Sequence, residues 1–180
     1  MPSYPEVSPG FGMPLEDAMT TQRAVRRLRP DPVDDETLLH VLRLATKAPT
    51  GGNMQGWEFI AVRDPDVKHA LARLNRMAWS VAKRVYRGRA RGDVKAARML
   101  EAVQWQADHF EDAPVIVVAC LHGRPWPTRM GRTSYYGSVY PAVQNLLLAA
   151  RSIGLGAALT TLPLWNTSLA RRTLNLPRGV

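Results

Sequence analysis

Four arginines fall within seven positions: Arg23, Arg26, Arg27 and Arg29. Guanidinium groups so crowded repel one another unless an oxyanion lies between them. A phosphate is what such forks clamp, each offering a planar pair of N–H donors. The competing reading is a solvated basic turn. A second stretch, Pro49-Thr50-Gly51-Gly52-Asn53-Met54-Gln55, puts short hydrogen-bonding side chains beside two glycines that let a ligand approach the backbone. Such a loop suits a flat polar heterocycle. It also reads as a plain helix-to-strand connection.

Other chemistries find little support. Gly154-Leu155-Gly156 lacks the third glycine of a dinucleotide fingerprint, since Leu159 stands there, and a helix precedes it where a strand is required. Those glycines read as a helix C-cap. The four histidines, His40, His69, His109 and His122, have no metal-ligand spacing, and no metal site is expected. Cys120 lies in an apolar run and reads as an inert buried thiol. No Ser/His/Asp order and no G-x-S-x-G stands out, so no protein catalytic residue is assigned.

These residues need elements to hold them. The chain has 180 residues with 46% hydrophobic and 22% charged, which predicts one globular domain over 15–180 after a loose Pro- and Gly-rich arm, 1–14. No apolar run is long enough for a membrane span, and the N-terminus has no secretory h-region. One cysteine excludes an intrachain disulfide, and a cytoplasmic protein is expected.

Helices are predicted over 15–22, 34–48 (capped by Asp34), 65–86, 94–111, 136–153 and 167–174 (capped by Asn166). Strands are predicted over 57–62, 113–121 and 157–161. The fold class is therefore α+β, a small central mixed sheet wrapped by helices.

The net charge is +9. It implies an anionic partner, which could be nucleic acid, an acidic surface or a phosphorylated cofactor. A basic cluster, Lys83-Arg84-Arg87-Arg89-Arg91-Lys95-Arg98, has only Trp79, Tyr86 and Trp105 near it. That is thin aromatic interleaving for a nucleic-acid face, so a solvated face or a lid on a phosphorylated reductant is preferred.

In chain order, Arg23-Ala24-Val25-Arg26, Ala48-Pro49-Thr50-Gly51-Gly52-Asn53-Met54-Gln55 and Ser138-Val139-Tyr140-Pro141-Ala142-Val143-Gln144-Asn145 resemble the nitroreductase family of FMN-dependent flavoenzymes. The resemblance implies a nitroreductase-like fold and a non-covalent FMN. Arg23, Ala24, Arg26 and Arg27 would form the phosphate clamp, with Gln22 replacing the family's first arginine. Pro49, Thr50 and Gly51 would lie beside the isoalloxazine, with Asn53 and Gln55 on ring and ribityl. Thr160, Thr161 and Leu162 would approach flavin N5.

It further implies a homodimer built on the helix 137–153, with both sites spanning two protomers. NAD(P)H would reduce the flavin, which would then reduce a nitroaromatic, quinone or similar small-molecule oxidant in a ping-pong cycle. A relative that dehalogenates a substrate or fragments flavin is the alternative; a basic nucleic-acid-binding domain is a rival from another class. The family's usual C-terminal strand and basic tail have no counterpart before Val180. FMN held more weakly than in a longer chain is the corresponding expectation.

Overall fold

Two apolar strands, rich in β-branched residues, pair antiparallel at the centre of the computed structural model, which describes residues 12–180. β1 (Trp57–Val62) and β2 (Ile116–Leu121) run in register from Trp57 opposite Leu121 to Val62 opposite Ile116. The expected arm therefore lies outside the described residues, apart from its last three.

Several helices start where a polar cap precedes an amphipathic run. Asp34 accepts from Thr37 N–H at 2.7 Å and starts α2 (Asp35–Ala45). Asp64 does the same for α3 (Pro65–Arg89), whose proline occupies the first turn, where a missing N–H costs nothing. Asp93 accepts from Lys95 and Ala96 at the start of α4 (Val94–Asp108). α1 (Leu15–Thr21) opens the described chain, and Asn166 caps α7 (Thr167–Thr173) near its end.

Two apolar clusters hold these elements. In one, Val62 of β1 packs with Leu71, Ala72 and Leu74 of α3, with Phe110, and with Ala170 of α7. In the other, Val41 of α2 meets Ala149 and Ala150 of α6 (Tyr140–Ser152). The α2 and α6 axes run antiparallel, for Leu44 near the end of α2 lies by Asn145, whereas Val41 faces Ala149 and Ala150.

The α+β class holds, with four corrections. No third strand forms over 157–161; only an isolated parallel bridge joins Ala24 to Ala157, with Val25 N–H donating to Ala157 O at 3.0 Å. Beyond it the chain tightens into a 3₁₀ turn, Leu162–Asn166, because Pro163 has no N–H to give a ladder. The named sheet is thus antiparallel rather than mixed.

The helix expected over 136–153 is two. α5 (Arg129–Gly137), capped by Thr128, was not foreseen, and α6 restarts at Tyr140 with Pro141 in its first turn. A proline there has no N–H to donate to the Gly137 carbonyl, so the helix does not run on from the turn before it. α4 also ends at Asp108, three residues early, where Phe110–Asp112 forms a 3₁₀ turn.

Candidate functional site

The loop after α2 is held almost wholly by its own atoms. Thr50 Oγ1 accepts from Gln55 N–H at 2.9 Å, Thr50 O accepts from Asn53 N–H at 3.0 Å, and Gln55 Nε2 donates to Asn53 Oδ1 at 3.1 Å. Three of its residues have left-handed backbones: Gly52 (φ 59°), Asn53 (φ 54°) and Gln55 (φ 47°). Glycine takes that region freely, but Asn and Gln are strained in it, and such strain gathers where a ligand is gripped. Pro49, Gly51, Asn53 and Gln55 are exposed, and Thr50 is half-buried.

α5 and the turn after it clamp the loop from outside. Ser138 Oγ accepts from Gly51 N–H at 3.1 Å while its hydroxyl donates to Ser134 O at 2.7 Å. A Cβ on Gly51 would run into Ser134 Oγ, so the close approach requires glycine. Neither serine was assigned from sequence to hold this loop. α5 escapes notice because Gly131 and Gly137 interrupt its pattern. The signal was the polar Thr128 directly after Pro127, an N-cap in waiting.

The basic run lies elsewhere. The Ala24–Ala157 bridge ties it to the segment carrying Thr160, Thr161 and Leu162. Gly156 seats this contact; a Cβ there would come within 3.0 Å of Val25 Cγ1 and Leu28 Cδ2. Arg23 is exposed, and its Nη1 donates to Gln22 O at 2.6 Å. Arg29 pairs with Asp31 at 2.6 Å. Among the described residues, half-buried Arg26 and exposed Arg27 have neither ion-pair nor hydrogen-bond partner.

The amides of Thr160 and Thr161 likewise make no hydrogen bond among the described residues. Leu162 N–H differs, since it turns back to Thr160 Oγ1 at 3.3 Å. Its amide is therefore partly engaged, and the role expected for it falls on its two neighbours.

One chain does not bring these two groups together. Among the described residues no hydrogen bond or salt bridge joins 23–27 or 160–162 to 49–55. α6 separates them. Ser138, against the loop, precedes its first turn; Arg151, in its last turn, donates from Nε to Thr21 Oγ1 at 2.9 Å, next to the basic run. Thirteen helical residues put those ends about 20 Å apart. Large apolar side chains stand open near both groups, Met54 (83% exposed) and Met130 (81%) by the loop, Val25 in the basic run.

Two further groups are displaced in their protonation. Burial, then the charge of Glu58, pushes the Cys120 thiol up. Burial, then Tyr136, does the same for Tyr135, whose hydroxyl donates to Gly123 O at 3.1 Å.

Comparison with known proteins bears on the family and the fold. The chain is 32% identical over 163 residues to 5,6-dimethylbenzimidazole synthase of Rhodospirillum rubrum, covering 87% of this chain and 72% of that protein. It is 29% identical over 150 residues to iodotyrosine deiodinase of Danio rerio, 81% of this chain but 49% of that one. The chain thus spans about half the length of the deiodinase it matches.

Among solved structures, iodotyrosine deiodinase bound to FMN and 3-iodo-L-tyrosine superposes with a TM-score of 0.68 at 26% identity, over 92% of this chain and 83% of that one. An FMN- and NADPH-dependent nitroreductase from Sphigopyxis sp. strain HMH gives 0.69 at 19% identity, over 93% and 83%, a likeness of fold alone. The nitroreductase family model matches residues 19–180, and the chain belongs to the nitroreductase family.

Proposed function

We propose that this chain is an FMN-dependent oxidoreductase of nitroreductase type, which takes electrons from NAD(P)H and passes them to a nitroaromatic, quinone or similar electrophile. The observation that carries the reading is the convergence of unsatisfied donors. Among the described residues Arg26 and Arg27 have no ion-pair or hydrogen-bond partner, and the amides of Thr160 and Thr161, which make no hydrogen bond there, follow the Ala157 bridge to that run. Two cations and two oriented N–H groups suit a phosphate and an electron-rich ring edge.

FMN, when bound, supplies the redox-active ring. Arg26 and Arg27 would hold its phosphate by charge-assisted bonds, with Arg23 and the Ala24 backbone beside them. The Thr160 and Thr161 amides would direct fixed dipoles at the ring edge, with Leu162 as the wall. Pro49, Thr50 and Gly51, braced by Ser138, would offer a rigid flank with the Asn53 and Gln55 amides beyond it. No protein acid–base pair is needed, because these residues bind and orient rather than move protons.

A homodimer belongs to the proposal. With the two groups about 20 Å apart along α6, a second copy would bring its loop to the arginines of the first. A cytoplasmic setting fits the lone, buried, unpaired Cys120, and no helix among the described residues is long and apolar enough to cross a membrane.

The likeness to iodotyrosine deiodinase and to dimethylbenzimidazole synthase favours a second reading, in which the same flavin site dehalogenates a substrate or fragments the flavin. One set of assays separates them. The purified chain should carry a flavin identified as FMN on release and oxidise NADH or NADPH only when a nitroaromatic or quinone is present. Halide release from an iodophenol, or loss of flavin absorbance in air, would select the second reading. A colourless protein that binds DNA with steep salt dependence would sink both.

A further inference from the structure

The basic run is tied to the body of the chain on both sides of Arg23. On one side Thr21, the last residue of α1, is held by Arg151, whose Nε donates to Thr21 Oγ1 at 2.9 Å. On the other, Val25 N–H donates to Ala157 O at 3.0 Å. Gln22, Arg23 and Ala24 lie between the two ties, and Arg26 and Arg27 follow directly after the second. Both contacts lie within one chain, so neither depends on a second copy.

The Thr21 hydroxyl is used at both ends. Its O–H donates to Asp17 O, one turn back in α1, while its oxygen accepts from Arg151. The first bond stays inside α1. The second joins α1 to α6 between residues 130 apart in sequence. Ala18 is the buried residue of α1, which lies against α6.

Arg151 occupies the last turn of α6, where the helix dipole leaves partial negative charge. The basic run is close to that end, for a Cβ on Gly156, soon after the helix, would come within 3.0 Å of Val25 and Leu28 side chains. A phosphate gripped by the run would be opposed there unless a cation offset the dipole. Half-buried Arg151 is that cation, and among the described residues no carboxylate neutralises it.

We infer, on the FMN reading proposed above, that Arg151 is a positioning residue of the phosphate clamp. Through Thr21 it fixes the start of the basic run, so that Arg26 and Arg27 meet the phosphate with their backbone already ordered. A run tied on one side only would have to lose that freedom on binding, and affinity would fall accordingly.

The test measures dissociation of FMN and of riboflavin from the whole protein by flavin fluorescence, together with the melting temperature of the flavin-free chain. Thr21→Val removes the acceptor and should weaken FMN roughly three- to tenfold, the worth of one hydrogen bond. Thr21→Ser keeps the oxygen and should recover wild-type affinity. Riboflavin has no phosphate to place, so its affinity should be the same in all three proteins. In an Arg151→Met background Thr21→Val should cost nothing further, because the bond it breaks is already absent.

Thr21→Ala reads the same bond should Thr21→Val fold poorly, since alanine suits a helix end without added bulk. FMN binding as tight in Thr21→Val or Thr21→Ala as in the wild type overturns the inference. So does an equal loss for FMN and riboflavin with a lowered melting temperature, which marks a merely structural bond. A Thr21→Val loss of undiminished size beside Arg151→Met overturns it as well. A wild-type chain that binds neither flavin overturns the proposed function first, and the role of Arg151 with it.

Discussion

Ser138 is a small residue on which a whole loop turns. Its hydroxyl oxygen accepts from the Gly51 amide and its O–H donates to Ser134 O, a pair of hydrogen bonds linking α5 to the candidate ring site. Gly51→Ala should push the loop away, since the new methyl meets Ser134 Oγ, and FMN affinity should fall. Adding Ser134→Ala removes that obstacle and should restore most of the affinity, a recovery measurable as a double-mutant cycle.

Arg26→Ala should weaken FMN roughly ten- to a hundredfold, the worth of one charge-assisted bond of about 1.5–3 kcal/mol. Riboflavin, lacking the phosphate, should bind the variant and the wild type alike; equal losses for both ligands would show Arg26 acting by packing. The arginines and the Pro49 loop are legible in the sequence because residue type alone announces their chemistry. The left-handed backbones of Asn53 and Gln55 are not, for nothing local demands φ near 50° in a residue bearing a Cβ.

Among the elements, a capping side chain marks a helix in the sequence where an unbroken apolar pattern follows it, and not in α5, capped by Thr128 but interrupted by Gly131 and Gly137. Asp34 and Asn166 each precede a run with helical spacing, and each accepts the expected backbone N–H, as Asp64 also does. Where tertiary contact decides, the pattern misleads. Ala157 to Thr161 has the composition of a strand but finds only Ala24 to pair with.

Capping also predicts a pH dependence. The Thr37 amide holds the Asp34 carboxyl below its ordinary value, so Asp34 stabilises the ionised, folded state. That contribution is present above the unfolded value near 3.8 and fades as pH falls through the lower folded value. Asp34→Asn keeps an acceptor and removes the titration. The wild type should therefore lose its melting-temperature advantage over this variant as acid is added, and a constant difference from neutral pH to pH 2 would contradict the assignment. Cys120 has the opposite sign. Burial keeps its thiol neutral, so native protein should react slowly with iodoacetamide at pH 8 and quickly once unfolded.

For the whole molecule the question is whether one chain can make one site. The arginines lie by the end of α6 and the Pro49 loop by its start, about 20 Å apart. Leu147, outside both apolar clusters, marks a face of α6 that a partner could cover. Leu147→Asp should therefore give a monomer that has also lost its flavin, and a yellow, active monomer in sedimentation would refute the shared site.

A sharper test uses two crippled chains, Arg26→Ala and Gly51→Ala, produced together. In a two-fold dimer whose sites each combine the arginines of one copy with the loop of the other, a mixed dimer places both lesions in one site and leaves the second intact. Random pairing makes half the dimers mixed, so about a quarter of all sites should bind FMN at wild-type strength. Each variant alone should show none. Titration near the wild-type Kd distinguishes the cases, because impaired sites stay empty there. If each site belongs to a single chain, every chain in the mixture carries a lesion in its own site, and co-production rescues nothing.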